Sequence, residues 1–212
     1  MRGCYALYLN SSRLDFLPPP EHPQLPAGEV HVWRLEPDPH RPRASRRELR
    51  EVLARYLDER PEAIALVEDE RGKPRLGHQP LALHFNLSHS GALVLVAVSG
   101  EREVGVDVER VEPERDFAAL AERALAPADA TAVREAPESR RADVFYELWT
   151  RHEARVKCLG LGLGAPPAQT APAIAVENLS IDPGYAAAVA ATGPASLQLR
   201  CWTFGPPLPE AG

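Results

Sequence analysis

Two acids one residue apart sit inside a valine-rich stretch, VGVDVE at 104–109. The composition is that of a buried strand, and strand alternation puts Asp107 and Glu109 on one face with Val106 and Val108 on the other. Like charges repel, and burying them unpaired is costly, so the pair asks for a cation. Hard divalent ions take oxygen ligands, and Mg²⁺ accepts a few carboxylates while substrate phosphates and water complete its octahedron. Taken alone, D-x-E is common and describes an exposed strand face better.

A second group lies in LWTRHEARVKCLG. At helical pitch Phe145, Leu148, Trp149, Val156 and Leu159 form one apolar stripe, with His152 inside it by the same angular count. Glu153 and Lys157 sit four apart beside the stripe, acid first. That spacing gives a surface ion pair worth about 0.3–0.5 kcal/mol, or a carboxylate and an ammonium at the margin of a buried face. Of the 24 basic residues only Lys73 and Lys157 are lysine, so these two compact point charges stand apart from the planar guanidinium groups. HFNLSHSG at 84–91 reads as a strand running into a Ser-His-Ser-Gly turn. Such a turn is a plain polar connection, or a device that presents hydroxyls, an imidazole and backbone N–H groups to an anion. RGKPRL at 71–76 carries Lys73. There is no G-x-S-x-G elbow, Walker A loop or G-x-G-x-x-G, which argues against the familiar hydrolase and nucleotide-binding folds.

The elements that must position these residues follow from periodicity. Strands are predicted at 3–9, 29–35, 83–88, 92–98 and 103–109, and again at 174–181, 185–191 and 196–204. A helix runs through SRRELREVLARYLDE with Leu49, Val52, Leu53 and Tyr56 on one face, and further helices cover 116–125, 127–135 and 139–159. Proline-rich stretches at 18–26, 37–42, 166–172 and 206–209 are connectors. NLSHSGALVLVAVSG at 86–100 is echoed by NLSIDPGYAAAVAATG at 178–193, the units GALVLVAVSG and GYAAAVAATG being 93 residues apart. Duplication into two similar α+β halves joined near residue 105 accounts for this, and chance similarity of two small-residue strands is the alternative.

Composition bounds the rest. With 212 residues, 44% of them hydrophobic, the chain suits one large domain or two small ones with a genuine core. Its longest apolar run, ALVLVAV at 92–98, is too short to cross a bilayer, and the N-terminus lacks the features of a signal peptide. Cys4, Cys158 and Cys201 show no metal-ligand spacing and read as free thiols of a reducing cytoplasm. A net charge of −6 argues against general nucleic-acid binding, although RPRASRRELR at 41–50 is a basic cluster that can meet phosphate or simply open a solvated helix.

Four segments in order, GKP (72–74), FNLSHSG (85–91), VGVDVE (104–109) and WTRHEARVKCLGLGL (149–163), resemble the 4′-phosphopantetheinyl transferases of the longer, pseudo-dimeric, surfactin-synthetase-activating type. The resemblance implies an α+β fold of two similar halves related by a pseudo-twofold axis, each a small antiparallel sheet packed with a long helix. Residues 1–105 would supply coenzyme A contacts, and 106–212 the metal ligands and catalytic helix. It implies transfer of the phosphopantetheine arm of coenzyme A to a serine of an apo acyl or peptidyl carrier protein, releasing adenosine 3′,5′-bisphosphate. The enzyme would be a cytoplasmic monomer of secondary metabolism with no nucleic-acid or membrane partner. Asp107, Glu109 and Glu153 would hold Mg²⁺ (or Mn²⁺), with Glu153 as base and Lys157 neutralising the leaving group. Lys73, Ser88 and His89 would hold the nucleotide end and phosphates of coenzyme A, and Arg46 the 3′-phosphate, nearby Arg47 fitting almost as well. The common pattern W-x-x-K-E-A-x-x-K is broken by His152 in place of the first lysine. With a reference pKa of about 6.5, a histidine there is expected to protonate beside a polyanion and make activity more pH-dependent. The alternative reading is an impaired homologue that binds carrier protein or coenzyme A without catalysis.

Overall fold

The computed structural model describes residues 15–35, 45–70, 72–78, 83–161, 173–193 and 196–204. The predicted strand at 3–9, Cys4 and most of the later proline-rich connectors lie outside the described residues. Nine strands and four helices are described: β1 Glu29–Leu35, α1 Ser45–Leu57, β2 Leu66–Glu68, β3 Pro74–Leu76, β4 His84–Ser90, β5 Leu93–Ser99, β6 Val104–Arg110, α2 Phe117–Ala124, α3 Pro127–Glu135, α4 Glu138–Cys158, β7 Ile174–Leu179, β8 Tyr185–Thr192 and β9 Gln198–Phe204. Local chemistry explains several ends. Asp116 caps α2 by accepting from the Ala119 amide, and Pro127 opens α3, where its missing N–H costs nothing.

The strands form a four-stranded sheet ordered β4-β5-β1-β9, a three-stranded sheet ordered β6-β8-β7, and a separate β2-β3 hairpin. Every pairing is antiparallel except that of β1 with β9. The order β4-β5-β1 thus recurs as β7-β8-β6, each set interrupted by a helix in sequence, α1 in the first and α4 in the second. The sequence echo, however, is out of step with the faces. At the 93-residue offset Leu95, in the core between the sheets, matches Ala188, which faces α4. A slip of one residue exchanges the faces of a strand, so strand order is what the two halves share.

Alternation sorts the core into layers. Val30, Val32, Leu93, Leu95 and Ala97 of the first sheet meet Val104, Val106, Val108, Val189 and Ala191 of the second. Trp33, Leu35, Val94, Val96 and Val98 turn outward, where α1 covers them with Leu49, Val52 and Leu53, the face read from its periodicity. On the far side of the second sheet, α4 lies on a floor of small residues. Ala154 and Cys158 pack against Ala188 and Ala190, and Gly105 faces the helix backbone directly. A Cβ at Gly105 would stand 2.1 Å from the Ala154 carbonyl oxygen and 2.4 Å from the Cys158 amide nitrogen. No side-chain rotation relieves a clash with backbone.

Gly105 therefore sets how closely α4 approaches β6. Gly105→Ala is expected to destabilise the protein by about 3 kcal/mol, lowering the thermal midpoint by roughly 6–12 °C. A thermal scan showing a shift under about 2 °C contradicts this close approach.

Candidate active site

The inner face of β4 carries His84, Asn86, Ser88 and Ser90 at two-residue spacing, and these side chains reach across to β6. The Val106 amide donates to Asn86 Oδ1 (2.9 Å), the Val108 amide to Ser88 Oγ (3.4 Å) and the Arg110 amide to Ser90 Oγ (3.0 Å). His84 Nδ1 stands 3.0 Å from Glu103 Oε1 at the entrance to the same strand. This corrects the sequence reading, which ended the strand at 88 and made 88–91 a turn. The strand continues through Ser90, because its backbone still pairs with β5 at Leu93, and the turn begins at Gly91. Gly91 has φ +56 and lies under the Tyr185 hydroxyl, which accepts from the Ala92 amide (3.2 Å).

Asp107 and Glu109 leave β6 toward α4, as alternation predicts. Asp107 is buried, and its Oδ1 accepts from Lys157 Nζ at 2.5 Å and from Ser88 Oγ at 3.0 Å. Lys157 Nζ also donates to Ser88 Oγ (3.0 Å), and Ser90 Oγ donates to Glu109 Oε2 (3.1 Å). Glu153, one helical turn before Lys157 and 2% exposed, faces the same space. Lys73, on the β2-β3 hairpin, donates to the Lys157 carbonyl (3.2 Å) near the end of α4, with Glu103 Oε2 at 3.7 Å. An ammonium there meets the negative end of the helix dipole.

These residues line one cavity of about 650 Å³. Lys73, Ser88, His89, Asp107, Glu109, Glu153 and Lys157 all border it, joined by Asn86, Trp149, Gly72 and Gly160. Two expected site residues do not. Arg46 is exposed on the first turn of α1 and paired with Glu68, while Arg47 pairs with Glu51 (2.9 Å). His152 is half-buried against Trp149, ring centroids 6.0 Å apart. Burial lowers its pKa, with Asp129 opposing and Arg155 assisting. Burial thus works against the protonated ring expected beside a polyanion.

The three acids are under electrostatic stress. Burial raises the pKa of Asp107 and outweighs Lys157 and Ser88; burial and then Asp107 raise Glu109; burial and then Asp107 raise Glu153, with Lys157 opposing. Asp107 Oδ2 and both oxygens of Glu153 are buried with no hydrogen-bond partner among the described residues. Unpartnered buried carboxylate oxygens are the donors a hard cation takes. With Lys157 seated on Asp107, no three acid, histidine or cysteine side chains among the described residues stand close enough to hold an ion together. The site thus fits a divalent cation in donor chemistry, and the lysine supplies positive charge in the present arrangement. Asn86, Ser90, Glu103 and Trp149 were not read as site residues. The signal for the first two was there, since polar side chains at every second position of H-F-N-L-S-H-S mark one face of a strand.

The sequence model described as the 4′-phosphopantetheinyl transferase superfamily matches residues 103–204. The 4′-phosphopantetheinyl transferase HetI of Nostoc sp. is 32% identical over 222 aligned residues, spanning 84% of this chain and 94% of that relative. The 4′-phosphopantetheinyl transferase psf-1 of Bacillus pumilus is 31% identical over 178 residues, 73% of this chain and 74% of the relative. The 4′-phosphopantetheinyl transferase Sfp of Bacillus subtilis (strain 168) is 28% identical over 164 residues, 69% and 71%.

An acid whose folded pKa is raised binds more protons folded than unfolded. Its penalty is absent below the unfolded value of about 4.3, grows as pH rises toward the folded value, and is complete above it. Glu153→Gln removes that penalty. In chelator at pH 7.5 the variant should melt above the wild type by roughly 2–4 °C, as about 1 kcal/mol gives in a chain of this size. The gap should close toward pH 4. Equal midpoints at both pH values would show that Glu153 carries no such burden.

Proposed function

The chain belongs to the 4′-phosphopantetheinyl transferase superfamily, and from that premise we propose that it transfers the 4′-phosphopantetheine arm of coenzyme A to a serine of an apo acyl or peptidyl carrier protein, releasing adenosine 3′,5′-bisphosphate. The observation that carries the reading is the trio of unpartnered carboxylate oxygens beside the two lysines, in a cavity bordered by both sheets and α4. The Sfp-type arrangement of two halves, 1–105 and 106–212, suits a site whose serines come from the first and whose acids come from the second.

In this reading Asp107, Glu109 and Glu153 hold Mg²⁺ or Mn²⁺, oxygen ligands serving either ion. The ion, when bound, neutralises pyrophosphate charge and polarises the phosphorus under attack. The chain's own residues do the remainder. Lys73, Ser88 and His89 border the cavity, and this reading sets that part of the lining toward the phosphates and nucleotide end of coenzyme A. The carrier serine oxygen bonds to the phosphorus that bears the pantetheine arm, and the bond from that phosphorus to the bridging oxygen breaks. Glu153, directly or through water, takes the serine proton. Lys157, already in the cavity, meets the charge gathering on the departing bisphosphate. His152 and Arg46 stand outside the lining, so any part they take is at the rim. A cytoplasmic, monomeric enzyme serving secondary metabolism completes the proposal. No helix among the described residues is long and apolar enough to cross a membrane.

The non-catalytic alternative rests on His152, and one experiment divides the two. Coenzyme A, Mg²⁺ and a panel of apo carriers are incubated with the protein and the carriers are weighed by mass spectrometry. Gain of one phosphopantetheine mass is expected, lost on chelation and reduced more than about 100-fold by Asp107→Ala, since even residues that only support a metal ligand are worth 10–100-fold. Binding without mass gain would establish the alternative. In the same assay His152→Gln, neutral at every pH, should leave the pH profile unchanged. Loss, in that variant, of a fall in activity as pH rises through the histidine range would restore the protonated-histidine role.

A further inference from the structure

The hydrogen bonds between β4 and β6 repeat with a regularity that bears on the acids themselves. Ser88 Oγ accepts from the Val108 amide (3.4 Å) and donates to the carboxylate of the residue before it, Asp107 (3.0 Å). Two residues on, Ser90 Oγ accepts from the Arg110 amide (3.0 Å) and donates to the carboxylate of the residue before that one, Glu109 (3.1 Å). A hydroxyl has one hydrogen and two acceptor positions. In Ser88 all three are engaged, because Lys157 Nζ takes the last at 3.0 Å, and nothing is left for a phosphate oxygen. In Ser90 the backbone amide fixes the oxygen, which leaves its hydrogen directed at Glu109. His89 lies between them on the opposite strand face and is exposed.

From this we propose that Ser90 is a positioning residue. It holds the Glu109 carboxylate in the orientation a divalent cation requires, as Ser88 holds Asp107, and neither serine is a phosphate ligand. The proposal deepens the functional reading and rests on it, since it takes Asp107 and Glu109 to be metal ligands. It narrows the phosphate contacts of the β4 segment to His89. The physical need is clear at Glu109. This carboxylate is half-buried, repelled by Asp107, and flexible through three side-chain torsions; the Trp149 indole is its other side-chain donor, and Ser90 is the one whose own oxygen the β6 backbone fixes.

Ser90 is well suited to a test because its loss leaves the core alone. It sits at the open end of the strand, and the Arg110 amide it serves can bond water instead, Arg110 being exposed. Mn²⁺ binding is measured by electron paramagnetic resonance with saturating coenzyme A and no carrier, so that no transfer intervenes. Coenzyme A affinity is measured separately in chelator. Ser90→Ala should weaken Mn²⁺ binding about 10-fold, the low end for loss of a group that orients a metal ligand. Coenzyme A affinity in chelator should stay within about 2-fold, and Ser90→Thr, which keeps the donor, should restore Mn²⁺ binding. His89→Ala should show the converse, losing coenzyme A affinity in chelator. Unchanged Mn²⁺ binding in Ser90→Ala, or an equal loss of coenzyme A affinity in chelator, overturns the proposal and leaves the metal reading intact. Absence of Mn²⁺ binding by the wild type itself overturns both.

Discussion

A buried edge strand carries a row of backbone amides that water cannot reach, and each one left unbonded is costly. β6 pairs with β8 on one side only. On its other side no strand among the described residues lies at ladder distance, and the side chains of β4 stand in for one, with Asn86, Ser88 and Ser90 supplying the acceptors. A backbone partner would have closed the gap between the sheets. Side chains are longer than carbonyl groups, so they satisfy the amides while holding the two edges apart. The cavity opens beside this gap, and the hydroxyls that bond the amides carry hydrogens left over for the acids. Satisfying the strand and orienting the carboxylates are one arrangement.

The helix across the site obeys the opposite requirement. Glu153 and Lys157 reach Asp107 only because α4 lies very close to β6, and that closeness depends on Gly105 and on the alanines of β8. The three acids repel one another in a buried space, where Lys157 offsets only part of the charge. Stability is given up there to keep oxygen donors unbonded, a pattern common at functional sites.

Much of this was legible in the chain, for reasons that differ by element. β1, α3 and the buried β5 follow from strict alternation, proline punctuation and unbroken aliphatic content, and their ends agree with the expected ones to within a residue. The acids and the lysine pair were singled out from residue types alone, and the cavity gathers seven of the nine expected site residues. β2 and β3, three residues each, are too short to show a period. The β4–β6 bonds could not be read, because they depend on which edges of two sheets come together. His152 is half-buried beside Trp149, as its place in the apolar stripe of α4 allowed.

The parallel strand β9 has an implication for how the chain is made. It covers the edge of β1, and its residues 198–204 emerge from the ribosome long after β1, α1, β4 and β5. Throughout synthesis of the second half, the first sheet therefore offers an open hydrogen-bonding edge, flanked by Trp33 and Leu35, to any extended chain nearby. Glu29 and Arg34 place charge along that edge, as such edges need if neighbouring nascent chains are to be kept from adding to the sheet.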